Sequence, residues 1–112
     1  MPRRNWRLRI ADILAAAERI GRYTAGLQEE AFARDEKTVE AVCFALVVIG
    51  EAAAQVPDSV QAGAPQIPWR KMKGMRNIAA HEYFGIDLST VWQTATVDVP
   101  AVRPLLEKLL VE

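Results

Sequence analysis

An all-α fold, an antiparallel bundle of four or five helices, is what this 112-residue sequence predicts. Three observations lead there. Residues suited to burial recur every three or four positions near the start, at Ile10, Ile13, Leu14, Ala17, Ile20, Thr24 and Leu27, which is the spacing of one helical face. A second stretch, Val39 through Ala54, is apolar nearly all round and runs until Pro57, which has no N–H to continue a helix. No segment shows convincing two-residue alternation, so no strand is expected.

Each element has its own signals. The first helix is expected from about Arg7 to Leu27. The second begins near Asp35, whose side chain can cap the first free N–H groups. Because its centre is apolar on every side, it should either sit centrally in the bundle or contribute to a subunit interface. Residues Pro57 to Pro68 hold three prolines and Gly63 and read as a loop. A third helix starts at Pro68 or Trp69, where a missing N–H is harmless, and should stop just before Gly85. Asp87 is the natural cap of the next helix, with Ile86 and Val91 placed as a hydrophobic staple. Asp98, Pro100 and Pro104 then predict a break or kink before Leu105, Leu106, Leu109 and Leu110.

Length and composition narrow the class. The chain is long enough for one hydrophobic core and short for two, so residues 1–112 are expected to form a single domain. Half of the residues are apolar, and Lys plus Arg balance Asp plus Glu at 14 each, which excludes a disordered chain. With one cysteine, Cys43, and one histidine, His81, neither an intrachain disulfide nor a structural zinc site can be assembled, and no metal or cofactor is expected. Cys43 lies in an apolar run and reads as a small core residue. Asp12 and Glu18 interrupt any signal-peptide core, and the apolar run is too short to span a bilayer, so a cytoplasmic protein with no membrane partner is expected.

The balanced net charge conceals an uneven distribution. Arg70, Lys71, Lys73 and Arg76 occur with no acid between them and lead directly to His81. At about 100° per residue, Arg70, Lys73, Asn77 and His81 fall within a stripe about 80° wide, and Gly74 beside it leaves room for a ligand to approach. Arg70 and Lys73 are therefore candidate contacts for an anionic partner such as RNA. Trp69, Met72, Met75 and Ala79 take the opposite, core-facing arc. Arg76 lies about 140° from His81, nearer the side of Tyr83, and is expected among apolar neighbours. Its guanidinium needs a ligand or a partner there, for which Glu51, a carboxylate in an apolar helix, is the candidate. For Arg76 and His81 to converge, either the helix unwinds near His81 or two chains meet. A guanidinium can neutralise charge on a phosphoryl group, and an imidazole can exchange a proton near neutrality. The same groups also suit simple structural roles: Asn77 could hydrogen-bond His81 one turn away, and Tyr83, Trp69 and Trp92 could be core aromatics with a polar edge.

The segment Arg76-Asn77-Ile78-Ala79-Ala80-His81-Glu82-Tyr83 resembles the Arg-x4-His-x-Tyr signature of HepT-like toxins, a branch of the HEPN superfamily. The resemblance extends in order and spacing through Asp35-Glu36-Lys37-Thr38, Ile49-Gly50-Glu51-Ala52-Ala53, Ile67-Pro68-Trp69-Arg70, Gly74-Met75-Arg76-Asn77, His81 to Asp87, and Val91-Trp92. It implies a HEPN-like bundle that dimerises, or forms a higher oligomer, and acts as a metal-independent endoribonuclease toxin on RNA such as tRNA or mRNA. It also implies a partner, a minimal nucleotidyltransferase antitoxin, in a type VII-like toxin–antitoxin pair. By the resemblance Arg76 and His81 are catalytic, Asn77 assists, and Tyr83 is the tyrosine on which the partner places AMP. Cleavage would run through the 2′-hydroxyl to a 2′,3′-cyclic phosphate. The alternative is a non-catalytic nucleotide- or RNA-binding module using the same residues, since binding and cleaving a phosphate draw on the same side chains.

Overall fold

The computed structural model describes residues 5–82 and 87–111, with the backbone alone for residues 79–82. Among these residues there are helices and no strands. Helix α1, Trp6–Thr24, is capped by Asn5, whose side chain accepts from the Arg7 N–H at 2.8 Å. It buries Ile10, Ile13, Ala16, Ala17 and Ile20. It ends three residues before the expected Leu27. The Thr24 hydroxyl donates back to the Ile20 carbonyl, and Gly26 then takes φ +76°, a left-handed conformation that turns the chain.

Helix α2, Glu29–Arg34, carries no periodic signal of its own, being held by the single buried Phe32, whose ring lies 5.0 Å from that of Trp92. Helix α3, Glu36–Ala54, begins as expected at Asp35, which accepts from both the N–H and the hydroxyl of Thr38. Those bonds, the side-chain one foremost, hold the Asp35 carboxyl below its usual pKa. As its composition requires, α3 is central: it packs on α1, on α2 and on both helices of the segment that follows Pro68. Its inward residues, among them Val42, Leu46 and Ile49, are fully buried, and Cys43 is buried with them. Its outer face keeps Phe44 68% exposed, with Val47 and Val48 half-buried beside it.

The proline-rich stretch is not wholly loop. A short helix, α4, spans Asp58–Ala62, with Asp58 in its first turn, favourably placed for the helix dipole. Helices α5, Trp69–Lys73, and α6, Met75–Glu82, follow, divided only at Gly74. Residues 83–86, and with them the expected stop at Gly85 and the staple at Ile86, lie outside the described residues. Helix α7, Leu88–Gln93, is capped by Asp87 through the Ser89 N–H at 3.0 Å.

No break follows at Asp98. The chain passes from α7 through one π-helical segment, Thr94–Asp98, straight into α8, Val99–Val111, which contains Pro104. Two causes act on this stretch. Pro100 cannot donate into the preceding turn and its ring crowds the carbonyl four residues back. The hydroxyls of Thr94 and Thr96 meanwhile donate to the carbonyls of Thr90 and Trp92, drawing those oxygens off the helix axis. Wider winding accommodates both without ending the helix. Helix α8 packs against α1, where the Arg7 side chain donates to the Leu110 carbonyl at 2.8 Å. No helix among the described residues is long and apolar enough to cross a membrane.

Candidate functional site

The site rests on the α5–α6 segment, which its own sequence fixes in place. Trp69 anchors the start by donating its indole N–H to the Ala64 carbonyl at 3.0 Å in a buried setting. Met72 and Met75, both fully buried, hold the same side against the core. At the division Gly74 stays right-handed, with φ −71° and ψ −13°. Its N–H still bonds the Arg70 carbonyl at 3.1 Å, and its carbonyl accepts from Asn77 and Ile78 at 3.0 and 3.2 Å. The helical direction therefore carries through, tightened locally to one three-residue turn. The stripe read from the sequence faces solvent: Arg70 and Asn77 are exposed and Lys73 half-buried.

Arg76 lies on the other edge, against α3. A Cβ added at Gly50 would meet the Arg76 backbone nitrogen at 2.8 Å, its Cβ at 2.9 Å and the Lys73 carbonyl at 3.1 Å. Only a hydrogen at position 50 lets α6 approach this closely. The guanidinium does not stay among apolar neighbours as expected. It reaches Glu51, where Nη1 donates to Oε1 at 3.3 Å, and the two side chains remain 42% and 58% exposed. A pair this exposed contributes at most about 1 kcal/mol, so an incoming phosphate has little to displace.

Helix α6 is continuous from Met75 to Glu82. The backbone does not unwind between Arg76 and His81, and their separation around the axis stays at about 140°. The His81 side chain, and with it the Asn77–His81 hydrogen bond considered above, lies outside what is described, as does Tyr83.

On the opposite flank of the stripe lies a feature the sequence did not single out. Lys71 pairs with Asp98 at 3.3 Å, with the Asp98 side chain only 20% exposed. Around that pair an open groove of about 400 Å³ is lined by Ile78, Ser89, Thr90, Gln93 and Thr94. Its only sequence signal was the basic run containing Lys71. From the sequence Asp98 is only part of an expected break or kink, whereas in the structure it closes the π-helical segment and lines the groove.

The described residues form a helical bundle in which Arg76 and His81 belong to one continuous helix. The chain belongs to the HepT-like ribonuclease family, whose model matches residues 13–109. It is 40% identical over 100 residues to the Thermococcus cleftensis protein named "Probable ribonuclease HepT", covering 89% of this chain and 91% of that one. To the Methanocaldococcus jannaschii protein named "Putative RNase MJ1216" it is 34% identical over 110 residues, covering 98% of this chain and 91% of the relative. A second protein of that organism, "Putative RNase MJ0125", is also 34% identical over 110 residues, which is 95% of its length. No solved structure gives a significant match.

Proposed function

We propose that this chain is a metal-independent endoribonuclease, the toxin of a toxin–antitoxin pair, acting in the cytoplasm on RNA as a homodimer. The observation that carries the reading is the exposed, weakly paired Arg76 guanidinium on the helix that also bears His81, in a chain of the HepT-like ribonuclease family. The substrate 2′-oxygen attacks the adjacent phosphorus as one imidazole takes its proton. The bond from phosphorus to the 5′-oxygen breaks, and that oxygen leaves with a proton from a second imidazole. The products are a 2′,3′-cyclic phosphate and a 5′-hydroxyl. Arg76 stabilises the charge that builds on the phosphoryl oxygens, and Asn77 orients His81 or the phosphate. Arg70 and Lys73 hold the flanking backbone.

Each chain owns one histidine, so two imidazoles require two chains. The outer face of α3 supports that arrangement. Phe44, Val47 and Val48 form an apolar stripe, and Glu51 continues it to Arg76, so a second copy seated there would bring two sites to one cleft. Regulation in this reading falls on Tyr83. Addition of AMP by a minimal nucleotidyltransferase partner would place negative charge seven positions after Arg76 in the sequence, in competition with RNA.

The test uses purified, unmodified protein with RNA and a chelator. Wild type is expected to cut, and His81→Ala to lose cleavage while keeping most RNA binding. Wild type that binds RNA but never cuts it would leave a binding module in place of a nuclease.

A further inference from the structure

We infer that the groove between α5–α6 and the α7–π segment is a nucleoside subsite, which seats the base and ribose of the RNA nucleotide next to the scissile phosphate. The inference rests on the ribonuclease reading above and adds a residue set that the family signature does not contain. Viewed down α6, Ile78 and Lys71 are displaced from Asn77 by about 100° and 120° around the axis, on the side away from Arg76. An RNA strand lying across the stripe, with its reacting phosphate near Arg76 and Asn77, therefore meets the groove next. Its volume, about 400 Å³, lies at the small end of ligand pockets, suited to one nucleoside rather than a folded RNA element.

The lining has the chemistry for that occupant. Ile78 offers an aliphatic wall against which a base can lie. Gln93 carries both a donor and an acceptor on one amide, the arrangement that reads a base edge. Ser89 supplies a hydroxyl that can recognise a ribose 2′-hydroxyl, and the Thr90 oxygen, whose hydrogen goes to Asp87 at 3.3 Å, can accept beside it. Lys71, 59% exposed at the rim, is held by Asp98 and can turn to a backbone phosphate when RNA arrives. The π-helical segment makes the site possible, because its wider turn sets Thr94 and Asp98 on the same wall as Gln93.

The experiment compares wild type, Gln93→Ala, Ser89→Ala and, as a control at an exposed residue outside the groove lining, Gln66→Ala on short single-stranded oligonucleotides that differ only in the base flanking the cleaved bond. Binding of the 2′-deoxy versions, which cannot be cleaved, is measured alongside. Wild type should prefer one flanking base. Gln93→Ala should raise KM about tenfold with kcat nearly unchanged and flatten that preference, as expected when uniform binding is lost. Ser89→Ala should reduce discrimination between ribose and deoxyribose, and Gln66→Ala should change neither. Melting curves confirm that each variant is folded. Cleavage by Gln93→Ala with wild-type KM and wild-type base preference would overturn the subsite while leaving the nuclease intact. Wild type that neither binds nor cuts any oligonucleotide would instead remove the ribonuclease reading on which it rests.

Discussion

Gly50→Ala is the substitution that most directly examines how α3 positions Arg76. The added methyl would lie 2.8 Å from the Arg76 nitrogen and 2.9 Å from its Cβ, both rooted in the backbone of α6, and 3.1 Å from the Lys73 carbonyl. None of these atoms can rotate away, so the helices must separate, by about 0.6 Å to bring the shortest contact to an ordinary 3.4 Å. Overpacking of this kind costs about 1–3 kcal/mol. Alanine's better helix propensity offsets about 0.5–1 kcal/mol of it. Taking the middle of each range, the net expectation is a loss of about 1 kcal/mol, read as a fall in Tm of about 5 °C for a chain of this size. The matching substitution in α1 gives the control. At Gly21 the nearest atom to an added Cβ is the tip of Arg103 at 3.9 Å, so Gly21→Ala should gain the propensity term alone and melt higher. Thermal and urea melts of the two variants measure both signs. A Gly50→Ala protein as stable as wild type would refute the close α3–α6 approach.

Three further outcomes follow from the same structure. Trp69→Phe removes the donor to the buried Ala64 carbonyl and should cost about 1–3 kcal/mol in urea unfolding, most of it the unsatisfied oxygen. Glu51→Gln should leave stability within about 0.5 kcal/mol, because the Arg76 pair is exposed on both sides, and a larger loss in chemical denaturation would mean that the pair is more enclosed than its geometry indicates. Asp35 has its folded pKa lowered by its bonds to Thr38, so its contribution is present above the ordinary aspartate pKa and is lost as pH falls through the lowered one. Asp35→Ala should therefore melt below wild type at neutral pH, with the gap closing in strong acid. A gap independent of pH would exclude the capping carboxylate as its source.

What the sequence disclosed depended on how many residues carried each signal. Helices α1 and α3 are long, so the 3.6-residue period and the apolar run were legible, as were the caps Asp35 and Asp87, which need only one residue in the right place. Helix α2 was not, because its six residues bury Phe32 alone and one apolar residue has no period. Helix α4 was hidden among prolines for the same reason. The π-helical segment falls where Asp98, Pro100 and Pro104 predict a break or kink, because proline disfavours an ordinary turn and sequence does not say whether a helix stops, bends or widens. At the site, the solvent-facing stripe and the Arg76–Glu51 pair followed from angles and from the need of a lone carboxylate for a cation. The groove did not, since Lys71 and Asp98 meet across 27 positions of chain and no periodicity connects them.

Gly50 and Glu51 are consecutive, and together they divide the placement of Arg76 into two unlike parts. The glycine lets the α6 backbone press against α3, so the position of the Arg76 main chain is set by packing that cannot yield without separating two helices. The glutamate meets the other end of the same residue through one exposed contact at 3.3 Å, which is weak and readily exchanged. Had the pair been buried, desolvation would have tied the guanidinium to its carboxylate and a phosphate would have had to replace a partner costly to lose. Had Gly50 carried a side chain, α6 would have to move off α3 and carry the Arg76 main chain with it. A fixed stem with an exchangeable head is what the proposed role of Arg76 in binding phosphate requires, since the ligand must find the charge in position without first breaking a strong internal bond.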